Sequence, residues 1–147
     1  MKKIAIALLA GLLVAPAAWA GNSAKEEANK KLVTEFYERV LNQKDVDAVD
    51  KYVGPYKQHN PMAGDGPEGL KGFIGYLQKS APQAHFEIKK VLADGDYVIL
   101  HIHAVFAPGT RGMAIVDLFK VDGKKIVEHW DVIQDIPEKS ANPNTMF

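Results

Sequence analysis

Residues 97–134 read YVILHIHAVF-APGTRG-MAIVDLFKV-DGKK-IVEHWDVIQ, three strand-like runs joined by two turns. Side chains alternate across a strand, so residues two apart share a face. Tyr97, Ile99, His101, His103 and Val105 therefore point one way in the first run. In the second, Asp117 shares its face with Ile115, Phe119 and Val121. In the third, His129 and Asp131 go with Val127 and Ile133. Each of these faces is mostly apolar but interrupted by ionisable groups. A solvent face would show Lys, Glu and Thr, and a plain core face no His or Asp. If the three faces are shared, three histidines and two aspartates converge on the wall of a polar-floored pocket.

Outward from that stretch, the N-terminus reads as a processing signal. Lys2 and Lys3 form a basic start, Ile4–Val14 an apolar run, and Ala18-Trp19-Ala20 a small-residue cleavage site. The apolar run falls short of the roughly 20 residues that a membrane span needs. Residues 1–20 are thus expected to be a signal peptide, and 21–147 a single mature domain, periplasmic or secreted, with no membrane attachment after cleavage. Without Lys2 and Lys3, the 18 basic residues become 16 against 18 acidic, which gives no footprint for nucleic acid. The chain has no cysteine, which excludes disulfides, thiol chemistry and thiolate metal sites.

Ser23-Ala24-Lys25-Glu26 has the form of a helix-capping box. Leu32, Val33, Phe36, Tyr37, Val40 and Leu41 then recur at helical spacing and make one broad apolar face. Asp45 caps a shorter helix carrying Val46, Val49, Tyr52 and Val53, which Gly54-Pro55 ends. Residues 56–66, YKQHNPMAGDG, read as a loop, because His59-Asn60-Pro61 imposes an extended bend and Gly64-Asp65-Gly66 is turn chemistry. Pro67 opens a third helix, with Leu70, Phe73, Ile74 and Leu77 as its buried stripe. A half-exposed strand follows over residues 83–93, and Asp94-Gly95 and Asp122-Gly123 mark hairpins. Three helices followed by four antiparallel strands is an α+β arrangement, with the helices on one side of a curved sheet.

Four of the five histidines, His59, His101, His103 and His129, stand where one cavity would gather them, and His85 reads as surface. Asp117 is the sharpest single residue, a carboxylate in an otherwise apolar strand. Burial there demands a histidinium or another donor beside it, and that setting suits acid–base chemistry near neutral pH. The plain alternative is an Asp117–His103 pair that serves only the scaffold. Asp131 is placed to orient His129, while Trp130 points to the opposite face and is expected under the helices. Arg111 sits in a glycine-flanked turn. There is no Gly-x-Ser-x-Gly elbow, no phosphate-cradling glycine loop and no His-Glu-x-x-His.

The chain resembles the SnoaL-like polyketide cyclases of the nuclear transport factor 2-like superfamily, closest to the branch of SnoaL-like aldol-condensation enzymes. The resemblance spans almost the whole mature chain. It rests on the order of elements, on Tyr56-Lys57-Gln58-His59-Asn60-Pro61, on Asp117-Leu118-Phe119 before Asp122-Gly123-Lys124, and above all on Ile126–Gln134, IVEHWDVIQ. It implies a cone-shaped α+β barrel, three N-terminal helices packed on a curved, mainly antiparallel sheet, with a deep pocket at the open end. It also implies an aldol-type ring closure or related proton transfer without metal or cofactor, on a small hydrophobic carbonyl compound. By position, Asp117 and His103 match the acid/base aspartate and its assisting histidine. His59, His101, His129, Asp131, Tyr56 and Phe119 match pocket-lining, substrate-binding positions, with Ile99, Ile115 and Ile133 as apolar wall. Within the family the open sheet face often pairs two copies, so a homodimer is an option. Two other readings stay open: a non-catalytic binder of the same fold, and a metal site built from His101, His103, His129 and Asp117 or Asp131.

Overall fold

The computed structural model describes residues 17–147, with side chains from Ser23 onward. The leader expected over residues 1–20 therefore lies outside the described residues, save for the backbone of its last four. Helix α1 (Ala17–Phe36) begins upstream of Ser23. Ala17, Ala18 and Ala20 are strong helix formers and nothing halts the helix there. Ser23 is thus an interior residue rather than a cap. The Glu26 carboxylate, expected to close the capping box, accepts the Gly95 backbone N–H at 3.0 Å instead. The Asn29 side chain donates to the Gly95 carbonyl at 3.0 Å, so helix and hairpin are tied at two points.

The last turn of this helix widens into a π-helical segment, Tyr37–Asn42, in which Gln43 N–H reaches Glu38 C=O at 3.0 Å. Asp45 then caps a 3₁₀ turn at Val46–Ala48 through Ala48 N–H at 3.2 Å, and this runs into the short helix α2 (Val49–Tyr52). Val53, expected at the end of that helix, instead starts a strand. Strand β1 (Val53–Gln58) contains Gly54-Pro55 and forms the edge of the sheet, the place where a strand tolerates proline. Helix α3 spans Gly66–Ser80 and buries Leu70, Ile74 and Leu77.

Strands β2 (His85–Asp94), β3 (Tyr97–Val105), β4 (Met113–Asp122) and β5 (Lys125–Asp135) form an antiparallel meander. Gly95 and Gly123, at φ 57° and 61°, supply the left-handed residues of the two tight hairpins. Strand β1 pairs with β5 in parallel, which makes a five-stranded sheet of order β1-β5-β4-β3-β2. The sheet is therefore mixed, with one strand more than the meander alone. All three helices lie on one face of it. No helix among the described residues is long and apolar enough to cross a membrane.

Between that face and the helices sits the core: Phe36, Val40, Leu77, Val98, Leu100, Ile102, Phe119 and Ile126, all at most 2% exposed. From β3 the core takes Val98, Leu100, Ile102 and Ala104, the face without histidine. The register confirms this parity, since Leu100 stands opposite Asp117 and Ile102 opposite Ile115, whereas His101 faces Val116 and His103 faces Ala114. His101 and His103 thus lie on the outer face, away from Asp117. This corrects the expected convergence. The physical reason is desolvation: burying the four even-numbered residues hides no polar side chain, while burying the odd-numbered set would hide two imidazoles.

Candidate active site

Four strands and two helices supply the walls of a cavity of about 230 Å³. Phe36, Tyr37 and Leu41 come from α1 and its wide turn, and Leu70 and Phe73 from α3. Phe86, Phe106, Met113, Ile115, Phe119 and Ile133 come from the sheet and its connections. The 60–64 segment closes one side, where α3 packs so closely that a Cβ on Gly69 would lie 2.1 Å from the Gly64 carbonyl oxygen. Within these apolar walls stand Tyr56, Gln58, Asn60, Asp117, His129 and Asp131.

These polar groups form one hydrogen-bonded chain. Asp117 and His129 are only 2% and 8% exposed. The Tyr37 hydroxyl donates to one Asp117 oxygen, and His129 Nε2 meets the other at 3.1 Å. His129 Nδ1 lies 2.9 Å from Gln58 Oε1. That same oxygen accepts the Asn60 backbone N–H at 2.8 Å, while Gln58 Nε2 donates to the Tyr56 hydroxyl at 3.1 Å. A backbone N–H can only donate, so Gln58 Oε1 is an acceptor and His129 Nδ1 must carry a hydrogen. The Nε2 side of the ring is then left to share a single proton with Asp117. Phe119 stacks on the imidazole at 4.6 Å between ring centres and Tyr56 covers it in a near-parallel arrangement at 6.3 Å.

Burial, reinforced by the negative charge of Asp117, pushes the Tyr37 phenol well above its usual range. Tyr56 is raised by burial first and then by Asp117 and Asp131. Both phenols therefore stay protonated and act as donors. The Tyr56 oxygen already accepts from Gln58, which leaves its own O–H free to donate into the cavity. Asp131 stands beside this chain, half-buried, with Oδ2 accepting the Asn60 side-chain amide at 2.6 Å.

Tyr56, Phe119, Asp117, His129 and Asp131 thus line the cavity, as the strand pattern anticipates for the last three. His103, His101, His59 and Ile99 do not. His103 donates through Nε2 to the Arg111 carbonyl at 2.8 Å, and the Phe147 ring sits 4.8 Å from His103 and 5.3 Å from His101. Ile99 is 36% exposed on the same outer face. His59 stacks on Trp130 at 4.6 Å and bonds Glu128 at 2.8 Å. Trp130 does oppose His129 on β5, but it lies on the outer face rather than under the helices, since Leu118 is its cross-strand partner.

The residues that the sequence reading passes over are Tyr37, Gln58 and Asn60. A signal exists for two of them: Tyr56, Gln58 and Asn60 stand two apart, which puts them on one face of an extended chain. Tyr37 sits within a helical apolar stripe, where a buried hydroxyl requires a partner. The π-helical turn that carries it is a feature found often at functional sites.

This topology, with helices on one sheet face and a small polar-floored cavity between, is a nuclear transport factor 2-like fold. The SnoaL-like domain matches over residues 33–129, and the chain belongs to that family. Solved structures with the same fold include a candidate polyketide cyclase from Acidithiobacillus ferrooxidans, at 24% identity and a TM-score of 0.61, covering 72% of this chain and 87% of that one. TsrD from Streptomyces laurentii superposes with a TM-score of 0.61 at 18% identity over 73% of this chain and 88% of its own. An NTF2-like protein of unknown function from Cytophaga hutchinsonii gives 0.60 at 18% identity, over 72% and 89%. At these identities the likeness concerns the fold. No curated protein matches the sequence.

Proposed function

We propose that this protein is an exported SnoaL-like enzyme performing acid–base chemistry, aldol-type or simple proton transfer, on a small hydrophobic carbonyl compound. The observation that carries the proposal is the buried chain Tyr37–Asp117–His129–Gln58, with one proton between a carboxylate and an imidazole at the floor of an aromatic cavity. A carboxylate hydrogen-bonded to imidazole can accept a proton from the carbon α to a carbonyl, leaving the electron pair in the enolate, and return the proton elsewhere on the product. His129 balances the charge as Asp117 gains and loses that proton. The free Tyr56 O–H is placed to donate to the enolate oxygen as negative charge builds there. His129 thereby takes the assisting role that the resemblance suggested for His103. Export is supported by the leader pattern of residues 1–20, and N-terminal sequencing of the exported protein is expected to start at Gly21.

The test is Asp117→Asn. The amide oxygen can keep the Tyr37 bond and the amide nitrogen can donate to His129 Nε2, so the fold is expected to stand. Turnover on a panel of carbonyl substrates should fall by about 10²–10⁴. Full activity in this variant would return Asp117 to the scaffold.

A second reading has one observation of its own. Donor atoms of Asp117, His129 and Asp131 all lie within 4.8 Å of one another, a spacing that a divalent ion could bridge. Such an ion would have to replace the direct His129–Asp117 hydrogen bond. Elemental analysis of untagged protein separates the two readings, since one metal equivalent per chain would favour the ion.

A further inference from the structure

The charges around the cavity do not cancel. Among its lining residues there is no lysine and no arginine. Tyr37 and Tyr56 remain uncharged phenols, and the Asp117–His129 pair, sharing one proton, is neutral as a unit. Asp131 remains. Its Oδ2 accepts an uncharged amide from Asn60, and no lysine, arginine or histidine pairs with it among the described residues. The cavity therefore presents one uncompensated carboxylate inside aromatic and thioether walls that include Tyr56, Phe73 and Met62.

We propose that the substrate carries a protonated amino group seated against Asp131. A ligand that fills the cavity strips water from this carboxylate. A neutral hydroxyl would leave its charge unbalanced in an apolar setting, and an anion would add repulsion with no cation to relieve it. An ammonium neutralises the charge and is also attracted by the faces of the surrounding rings. Donor atoms of Asp131, Asp117 and His129 lie within 4.8 Å of one another. The amino group and the reacting carbon are thus separated by about two or three bonds of ~1.5 Å. The class is a small amino-substituted ketone or aldehyde with an apolar remainder. The placement of the carbonyl rests on the acid–base reading above, whereas the preference for positive charge does not.

The experiment is calorimetric binding of three probes to chelator-treated full-length protein, with His129 ring signals followed by NMR to locate the ligand. The probes are phenethylamine, phenylacetamide and phenylacetate, which are similar in shape and carry positive, zero and negative charge. Phenethylamine is expected to bind at least about tenfold more tightly than phenylacetamide, and phenylacetate more weakly than both. Asp131→Asn should remove the amine preference. Tightest binding of the amide or the acid, equal binding of all three, no binding of phenethylamine, or a preference that survives Asp131→Asn would each overturn the proposal. No turnover is involved, so an inactive protein that still prefers the amine would sink the acid–base reading and leave this one standing.

Discussion

The two faces of the sheet carry similar residues in different circumstances. On the inner face His129 is almost fully buried, touches a carboxylate, and is stacked on Phe119. On the outer face His101 and His103 are half-buried, lie against Phe147, and have the Lys89 ammonium 5.5 Å above that same ring. A backbone carbonyl serves His103, and among the described residues no carboxylate is bonded to either outer imidazole. The inner imidazole is closed off from solvent and spends its Nε2 on Asp117 instead. A histidine in a strand gains chemistry from the company it is buried with, and its residue type alone says little.

The largest effect should come from exchanging histidines between these circumstances. His129→Gln is expected to lower turnover by about 10²–10⁴, the range for a positioned acid–base group. The double variant His101→Gln, His103→Gln should keep turnover within about twofold, as expected for groups outside the cavity. Kinetics of both proteins on one carbonyl substrate decide between the faces. Loss of activity in the double variant alone would reverse the comparison.

Next in size is Tyr37→Phe, which removes the hydroxyl bonded to buried Asp117. Thermal or denaturant unfolding should show a loss of about 1.5–3 kcal/mol, the usual range for a hydrogen bond to a charged group. The same phenol predicts an alkaline effect. Its folded-state value is raised, as is that of Tyr56, so the stabilisation is complete below the ordinary phenol value of about 10 and is lost as pH rises towards the folded values. Unfolding midpoints should therefore drop above about pH 10, and drop less steeply in Tyr37→Phe.

On the outer face, deleting Phe147 should cost about 0.5–1.5 kcal/mol of stability through the lost ring contacts. Turnover should be unchanged. A large fall in turnover would show that the tail reaches the inner site.

The smallest effect concerns the segment over the cavity. Backbone N–H groups of Gln58 and Gly66 hold the exposed Asp65 carboxyl below the usual carboxylate range. That contribution is present above the ordinary carboxylate value and is lost as pH falls through the lower folded one. Hydrogen exchange at the Gln58 amide, 2.8 Å from Asp65 Oδ1, should lose its protection over that acidic interval, and Asp65→Asn should weaken it at neutral pH.

Much of this architecture was legible along the chain. The stripes of α1 and α3, the Asp-Gly hairpins and the alternation along β4 and β5 are local patterns, and local sterics make them nearly independent of context. They suffice to place Asp117, His129 and Asp131 on faces with apolar company. Strand β1 was hidden because its Gly54-Pro55 interior speaks against a strand, and only the free edge of β5 makes it one. The wide turn that aims Tyr37 at Asp117 has no local signature. Above all, alternation tells which residues of one strand share a face, but not which face meets the helices. In β3 the wholly apolar set competes with one whose histidines match the ionisable groups of β4 and β5. The helices packed on Val98, Leu100, Ile102 and Ala104, and the seven-residue connection from Val105 to Met113 aligned Leu100 with Asp117. Register between strands is a property of the assembled sheet, where a one-residue shift sends every side chain to the other side. The apolar company of Asp117 was therefore written in its own strand, and its partner was chosen by the tertiary fold.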